Sequence, residues 1–141
     1  FDQPGLTTDV IVGFPGETCQ DHIASLAFCR EIGFSRLHVF KYSRRDGTHA
    51  AQLPDQIDSE TAADRSRELL KLADQMSLNF HSRQIGRSQA VLLEAKNKDG
   101  FIEGYTPEYV PVRLPSFSGF KPGQIVIAAG EKATSEFLYC R

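Results

Sequence analysis

The stretch Thr8-Asp9-Val10-Ile11-Val12-Gly13-Phe14-Pro15-Gly16-Glu17-Thr18 constrains this chain more than any other. Its first half is a β-branched run, the pattern of a strand buried on both faces, as in a parallel sheet. Two glycines and a proline then stop the strand and force a tight turn. Thr18 offers a side-chain oxygen to cap a helix, and Asp21, three residues on, imitates a capping box. A buried strand, a glycine-rich turn and a helix N-terminus set backbone N–H groups at the carboxyl end of a sheet, where α/β proteins bind ligands. The same residues would serve equally well as a plain βα turn, and spacing alone does not separate the two readings.

Residues 1–7 form an entry segment with a turn at Pro4-Gly5. Beyond Thr18, Ile23, Leu26 and Ala27 give a helix its apolar stripe, and Gly33 stops it. Leu37-His38-Val39-Phe40 reads as a second strand, which makes a βαβ unit with parallel strands. Residues 44–56 read as a loop. A longer helix starts at Asp58 or Ser59, with Leu69, Leu72, Ala73, Met76 and Phe80 on its buried face and His81 at the surface near its end. Two parallel strands and two helices do not finish an α/β domain, because both flanks of the sheet stay open. Residues 1–85 are therefore expected to be the closing part of a larger (βα) barrel, unstable, swapped or oligomeric if alone.

The texture changes at Ile85-Gly86. Strands are expected at Gln89–Ala95, Phe101–Tyr105, Tyr109–Leu114, Gln124–Ala129 and Glu136–Tyr139. Five short strands in so few residues predict a small closed all-β barrel of the oligonucleotide-binding (OB-like) kind over residues 86–141. Phe101, Tyr105, Tyr109, Phe117, Phe120, Phe137 and Tyr139 supply half of the 14 Phe and Tyr in the chain, so some must lie outside the core. Exposed rings beside cations are what single-stranded RNA needs. Tyr105 and Tyr109, with Arg113, Lys96 and Lys98 available, are the candidates for such a surface.

Charge limits that reading. The net charge is −2, and residues 1–85 hold 9 Lys and Arg against 12 Asp and Glu, while residues 86–141 hold 7 against 6. Any RNA affinity must come from local placement of charge and from aromatics, not from a strong overall field. No apolar run approaches the roughly 20 residues that span a bilayer, and no membrane role is expected. Cys19, Cys29 and Cys140 are odd in number and scattered, which suggests no disulfide framework and a reducing, cytoplasmic setting. His22, His38, His49 and His81 show no metal-ligand spacing, and no Ser/His/Asp nucleophile turn is present.

Asp9-Val10-Ile11-Val12-Gly13-Phe14-Pro15-Gly16-Glu17-Thr18, followed by a helix and then by His38-Val39-Phe40-Lys41-Tyr42-Ser43-Arg44-Arg45-Asp46-Gly47-Thr48-His49-Ala50-Ala51, resembles the radical-SAM methylthiotransferases. Leu53-Pro54-Asp55-Gln56 and Gly104-Tyr105-Thr106-Pro107-Glu108-Tyr109-Val110 resemble that family too, most of all the branch acting on threonylcarbamoyladenosine beside the tRNA anticodon. The resemblance implies a carboxyl-terminal piece: the end of a radical-SAM barrel followed by a TRAM domain, a small β-barrel that binds the tRNA anticodon stem-loop. It implies an enzyme that uses S-adenosyl-L-methionine and two 4Fe–4S clusters to place a methylthio group on C2 of a modified adenosine. The Cys-x-x-x-Cys-x-x-Cys loop for the first cluster is absent, as are the cysteines for the second. The chain begins with Phe1, so a fragment is expected, inactive by itself, with the cluster ligands upstream.

By that resemblance, the strand from Asp9 to Gly13 lines the S-adenosylmethionine pocket. The looser pattern Gly-x-Ile-x-Gly-x-x-Glu is met at Ile11 and Gly13, missed at Asp9, and met one place late at Glu17. Ile11 is expected against the adenine ring, or else in the core; the alternative for Glu17 is to bind helix N-terminal amides. Tyr42, Ser43, Arg44, Arg45 and Thr48 follow the second strand, and the two arginines could hold tRNA phosphates or the cofactor carboxylate. The family usually has prolines near positions 44, 46 and 49, and here Arg44, Asp46 and His49 stand in some of those places, so a less rigid loop is expected. The alternatives are a methylthiotransferase acting on a ribosomal protein, a non-catalytic RNA-binding protein, and a structural fragment with no nucleic-acid role.

Overall fold

Strands β1 (Thr7–Val12) and β2 (Arg36–Lys41) run parallel, paired from Thr7 with Arg36 to Val12 with Lys41. They open the first of two units in the computed structural model, which describes residues 4–96, 99–116 and 119–141. One unit is Leu6–Met76; the other is Ser77–Arg141 together with residues 4–5. The division falls inside the long helix α2 (Ser59–Ser82).

In the first unit, helix α1 (Cys19–Ile32) starts as its sequence predicts. Thr18 Oγ1 accepts from the Asp21 N–H at 3.1 Å, and the Thr18 N–H donates back to Asp21 Oδ2 at 2.9 Å. The Thr18 hydroxyl is also the main reason the Asp21 carboxyl is held below its ordinary range. Gly33 ends the helix in the left-handed region, φ 70°, with its N–H donating to the Cys29 carbonyl. Asp58 performs the same service for α2, accepting from the Thr61 N–H at 2.8 Å and the Thr61 hydroxyl at 2.7 Å. A 3₁₀ turn, Ala50–Gln52, interrupts the loop before α2.

Val12, Cys29, Leu37, Leu69, Leu72, Ala73 and Met76 make this unit's core, flanked by Val10, Leu26, Phe34 and Val39. Burial along β1 alternates: Val12 is buried, while Ile11, paired with Phe40, is 56% exposed and Phe40 52%. Double-faced burial of β1 is therefore not what this sheet shows. The helices pack on the face carrying Val10, Val12, Leu37 and Val39, and among the described residues nothing covers the face carrying Ile11 and Phe40. A β-branched run reports fitness for a pleated surface, not the number of layers on it.

The second unit holds the end of α2 and a closed five-stranded barrel. Its strands are β3 (Ser88–Lys96), β4 (Phe101–Tyr105), β5 (Pro111–Pro115), β6 (Ile125–Ala133) and β7 (Leu138–Cys140). They close in the order β3-β4-β5-β7-β6, with β6 returning to β3; β5 and β7 pair in parallel and the other neighbours antiparallel. All five expected strands are present. β5 begins two residues later than expected, because Tyr109 and Val110 belong to the preceding turn. Val91, Leu93, Ile102, Val112, Leu114, Ala128, Leu138 and Cys140 fill the interior together with Phe80 from α2. His81 is buried rather than at the surface: its Nδ1 lies 2.8 Å from the Thr134 carbonyl, because the end of α2 belongs to the barrel's unit.

One glycine is required by close approach. A Cβ on Gly104 would stand 2.2 Å from the Leu92 carbonyl oxygen, beside the irregularity in β3 between Leu93 and Ala95. Only a residue without a side chain lets β4 press against β3 there.

Candidate functional site

At the carboxyl end of β1, the turn is closed by side chains. Glu17 Oε2 accepts from the Gly13 N–H at 2.5 Å and from Arg65 Nη1 at 2.8 Å, and the same Arg65 nitrogen donates to the Glu17 carbonyl at 2.9 Å. Glu17 and Arg65 side chains are each only 12% exposed. Gly13 takes φ 73°, and a Cβ there would lie 2.8 Å from Ala62 Cβ. Its lack of a side chain is thus used to bring β1 against α2. Of the three residues expected at a cofactor, Gly13 and Glu17 have their polar groups engaged with each other, whereas Ile11 lies open on the uncovered sheet face beside Phe40.

Past β2, Tyr42 stays bound to the sheet through its N–H to the Val12 carbonyl, and its ring meets Phe14 edge-on at 5.3 Å. The Tyr42 hydroxyl is buried without a hydrogen-bond partner among the described residues. Such an orphaned donor is costly unless something fills its place. Ser43, Arg44, Arg45 and Thr48 are exposed. Thr48 Oγ1 donates to the Arg45 carbonyl at 2.7 Å, and Gly47, φ 81°, makes the turn between them. This turn orders the loop. Among the described residues neither Arg44 nor Arg45 is in an ion pair.

On the barrel, strand alternation turns Phe101, Glu103 and Tyr105 of β4 away from the interior, with Arg113 of β5 and Tyr139 of β7 on the same side. Arg113 is held there by acids: its Nη2 lies 2.6 Å from Glu103 Oε1, and its Nη1 lies 3.4 Å from Asp99 Oδ2. Its guanidinium carbon stands 4.2 Å from the Phe137 ring centroid and 5.9 Å from that of Phe101. Phe101 meets Tyr139 edge-on at 5.9 Å. Glu103, above all, pushes the Arg113 pKa further up. Tyr105 is half-buried on this face, opposite Pro111, whereas Tyr109 is 81% exposed in the β4–β5 turn. Lys96 ends β3 opposite Ile102, and Lys98 lies outside the described residues.

Phe137 and Glu103 are the site neighbours that residue-by-residue reading missed. Glu103 was accessible to it, since positions 101, 103 and 105 of one strand must share a face. Phe137 joins only through the parallel β5–β7 pairing, which no local pattern announces.

No protein-family model matches the chain. Curated proteins do. It is 32% identical over 142 residues, 98% of its length, to the ribosomal protein uS12 methylthiotransferase of Trichlorobacter lovleyi. It is 36% identical, over 94% of its length, to the tRNA-2-methylthio-N(6)-dimethylallyladenosine synthase of Acidothermus cellulolyticus. It is 39% identical, over 77% of its length, to the threonylcarbamoyladenosine tRNA methylthiotransferase of Bacillus subtilis. The chain belongs to the methylthiotransferase family. It spans 26–30% of the length of these three relatives.

In this methylthiotransferase segment, the fit to the implied groups is uneven. An apolar, uncovered pair such as Ile11 and Phe40 suits a flat ring, and the Tyr42 hydroxyl lacks a partner that a polar ligand would supply. The Gly13 N–H and Glu17 Oε2 are already engaged with each other, and Glu17 Oε2 with Arg65 as well. Among the described residues, no cluster of three or more His, Cys, Asp and Glu could hold a metal ion. Nor is any described helix long and apolar enough to cross a membrane.

Proposed function

We propose that this chain is the carboxyl-terminal part of a tRNA methylthiotransferase, with residues 1–85 closing a radical-SAM (βα) barrel and residues 86–141 forming a TRAM-like barrel that grips tRNA. The observation that carries the reading is that methylthiotransferase similarity runs through both units, over 94–98% of the chain in two relatives, and one of the two units is a closed five-stranded barrel. The exposed Ile11 and Phe40 would face the interior of the completed barrel, and the loop from Tyr42 to Thr48 would lie at its carboxyl rim, where barrel active sites form. S-adenosylmethionine and two 4Fe–4S clusters held by the rest of the protein would supply the radical and sulfur-transfer chemistry. Ile11 would cover the adenine ring, with Gly13 and Glu17 shaping the turn beneath it. Arg44 and Arg45 would meet phosphate or carboxylate oxygens. This segment binds and positions; it does not carry the reaction alone.

The substrate we favour is threonylcarbamoyladenosine beside the anticodon, methylthiolated at C2, on the strength of the Gly104–Val110 stretch. The similarity over 98% of the chain to a uS12-modifying enzyme keeps a ribosomal protein as the second reading. Nucleoside mass spectrometry on tRNA from cells expressing the full-length parent separates them. Appearance of the 2-methylthio derivative of threonylcarbamoyladenosine supports the first reading. Unchanged tRNA with a heavier uS12 overturns it. For the grip itself, fluorescence anisotropy of this chain with an anticodon stem-loop should show binding that weakens as salt rises.

A further inference from the structure

Tyr109 occupies a conformation that its side chain does not favour. Its φ is 60°, in the left-handed region where the Cβ of an L-residue crowds its own carbonyl and where a bulky residue is a true outlier. Asp55 is the other non-glycine described with positive φ, 56°, and Asp tolerates that region. Nothing in the barrel's packing rewards Tyr109 for the strain, because 81% of it is exposed.

The surrounding turn imposes the conformation. Thr106 is buried; its N–H donates to the Val110 carbonyl at 3.1 Å, and its Oγ1 accepts from the Val110 N–H at 3.2 Å. The Tyr109 N–H donates to the Thr106 carbonyl at 2.9 Å, and Val110, 1% exposed, is sunk in the core. Both ends of the turn are thereby pinned, and the ring is thrust into solvent at its tip. Glycine or asparagine would make the same turn without strain. Strain that surrounding structure over-determines and packing does not reward is a mark of function.

We infer that Tyr109 is a base-stacking residue, held out by the Thr106 clamp to take the face of one unpaired RNA base, and that the barrel gives up stability to present it. This rests on the proposed tRNA grip. The chemistry favours a base over a phosphate, since the adjacent Glu108 is exposed and would repel a phosphate, whereas a base offers a neutral π-face. It also favours RNA over a protein partner. The turn's other exposed residues are Pro107 and Glu108, which make no broad apolar patch around the ring.

The test combines a thermal melt with an anisotropy titration at two salt concentrations, on this chain and its Tyr109→Gly and Tyr109→Phe variants. The probes are an anticodon stem-loop RNA and a blunt duplex of the same length. Tyr109→Gly should raise Tm by a few degrees and weaken stem-loop binding roughly 5- to 150-fold, the span expected for one stacked base. That ratio should be the same at both salts, because stacking releases no counterions. Tyr109→Phe should keep the affinity, and duplex binding should not change in any variant. Stem-loop binding that is equal in wild type and Tyr109→Gly overturns the inference and leaves the tRNA grip standing. A Tm that falls on Tyr109→Gly, or an affinity lost equally in Tyr109→Phe, also overturns it. No stem-loop binding by the wild-type chain overturns the grip, and the stacking role with it.

Discussion

The guanidinium of Arg113, on β5, lies 4.2 Å from the ring centroid of Phe137, the residue just before β7, which pairs in parallel with β5. Glu103 and Asp99 hold the same group from the other strand partner and its preceding turn. Arg113 is thus a bracket across β4, β5 and β7 before it is anything else. Its charge is already balanced within the barrel, so a phosphate would have to compete with Glu103 for it.

The first consequence is that Arg113→Ala should lower the Tm of the chain by several degrees, with Arg113→Lys losing part of that because lysine cannot stack flat or bond bidentately. Circular-dichroism melts would show it. A melt indistinguishable from wild type would mean the bracket contributes nothing. Loss of RNA binding in Arg113→Ala counts as lost phosphate contact only where the melt shows the barrel intact.

Gly104→Ala should be far more damaging than an exposed substitution. The new methyl would sit 2.2 Å from a backbone oxygen of β3, which cannot rotate away as a side chain could. Separation of β4 from β3 should cost about 2–4 kcal/mol, the upper part of ordinary overpacking and somewhat beyond it. Urea unfolding followed by far-UV circular dichroism measures the loss. A midpoint shift equivalent to less than about 1 kcal/mol would show that the bulge between Leu93 and Ala95 relaxes freely.

In the other unit, Arg65→Met should loosen the β1–α1 turn. It leaves the largely buried Glu17 carboxylate with the Gly13 N–H as its remaining donor in the turn, at a cost of roughly 1–3 kcal/mol for the unmatched charge. Amide exchange on the full chain should then speed up at Gly13 and through the first turn of α1, while the barrel strands exchange as before. Uniform protection in both units would refute the assignment.

The cysteines should separate by environment. Burial, with Glu131 adding to it, pushes the Cys140 thiol up to about 11, and burial also raises Cys29, while Cys19 is exposed. A disulfide reagent at pH 8 should label Cys19 rapidly and the other two only after denaturation. Because the raised Cys140 value favours the protonated thiol in the fold, its contribution to stability is complete below pH 9, the ordinary thiol value. It is lost as pH climbs through about 11. Melts from pH 8 to 11 should fall over that window, and Cys140→Ala should flatten part of the fall.

Much of this protein is legible residue by residue. The capping box at Thr18 and Asp21, the stop at Gly33, the start of α2 at Asp58, and the five barrel strands follow from interactions between positions a few residues apart. Local hydrogen bonds and a two-residue alternation are written along the chain, and the methylthiotransferase resemblance is carried by short motifs of the same kind. What the tertiary structure alone decided is of longer range. It set Arg113 between Glu103 and Phe137, paired β5 in parallel with β7, spent Glu17 on Gly13 and Arg65, and left Ile11 open beside Phe40. Each depends on which distant segment a strand or helix meets, and no periodicity encodes that. Tyr109 stands between the two classes. Its nearness to a turn could be read from the sequence, which nevertheless put it at the start of a strand; its positive φ arises only because Thr106 and Val110 are anchored in the barrel on either side of it.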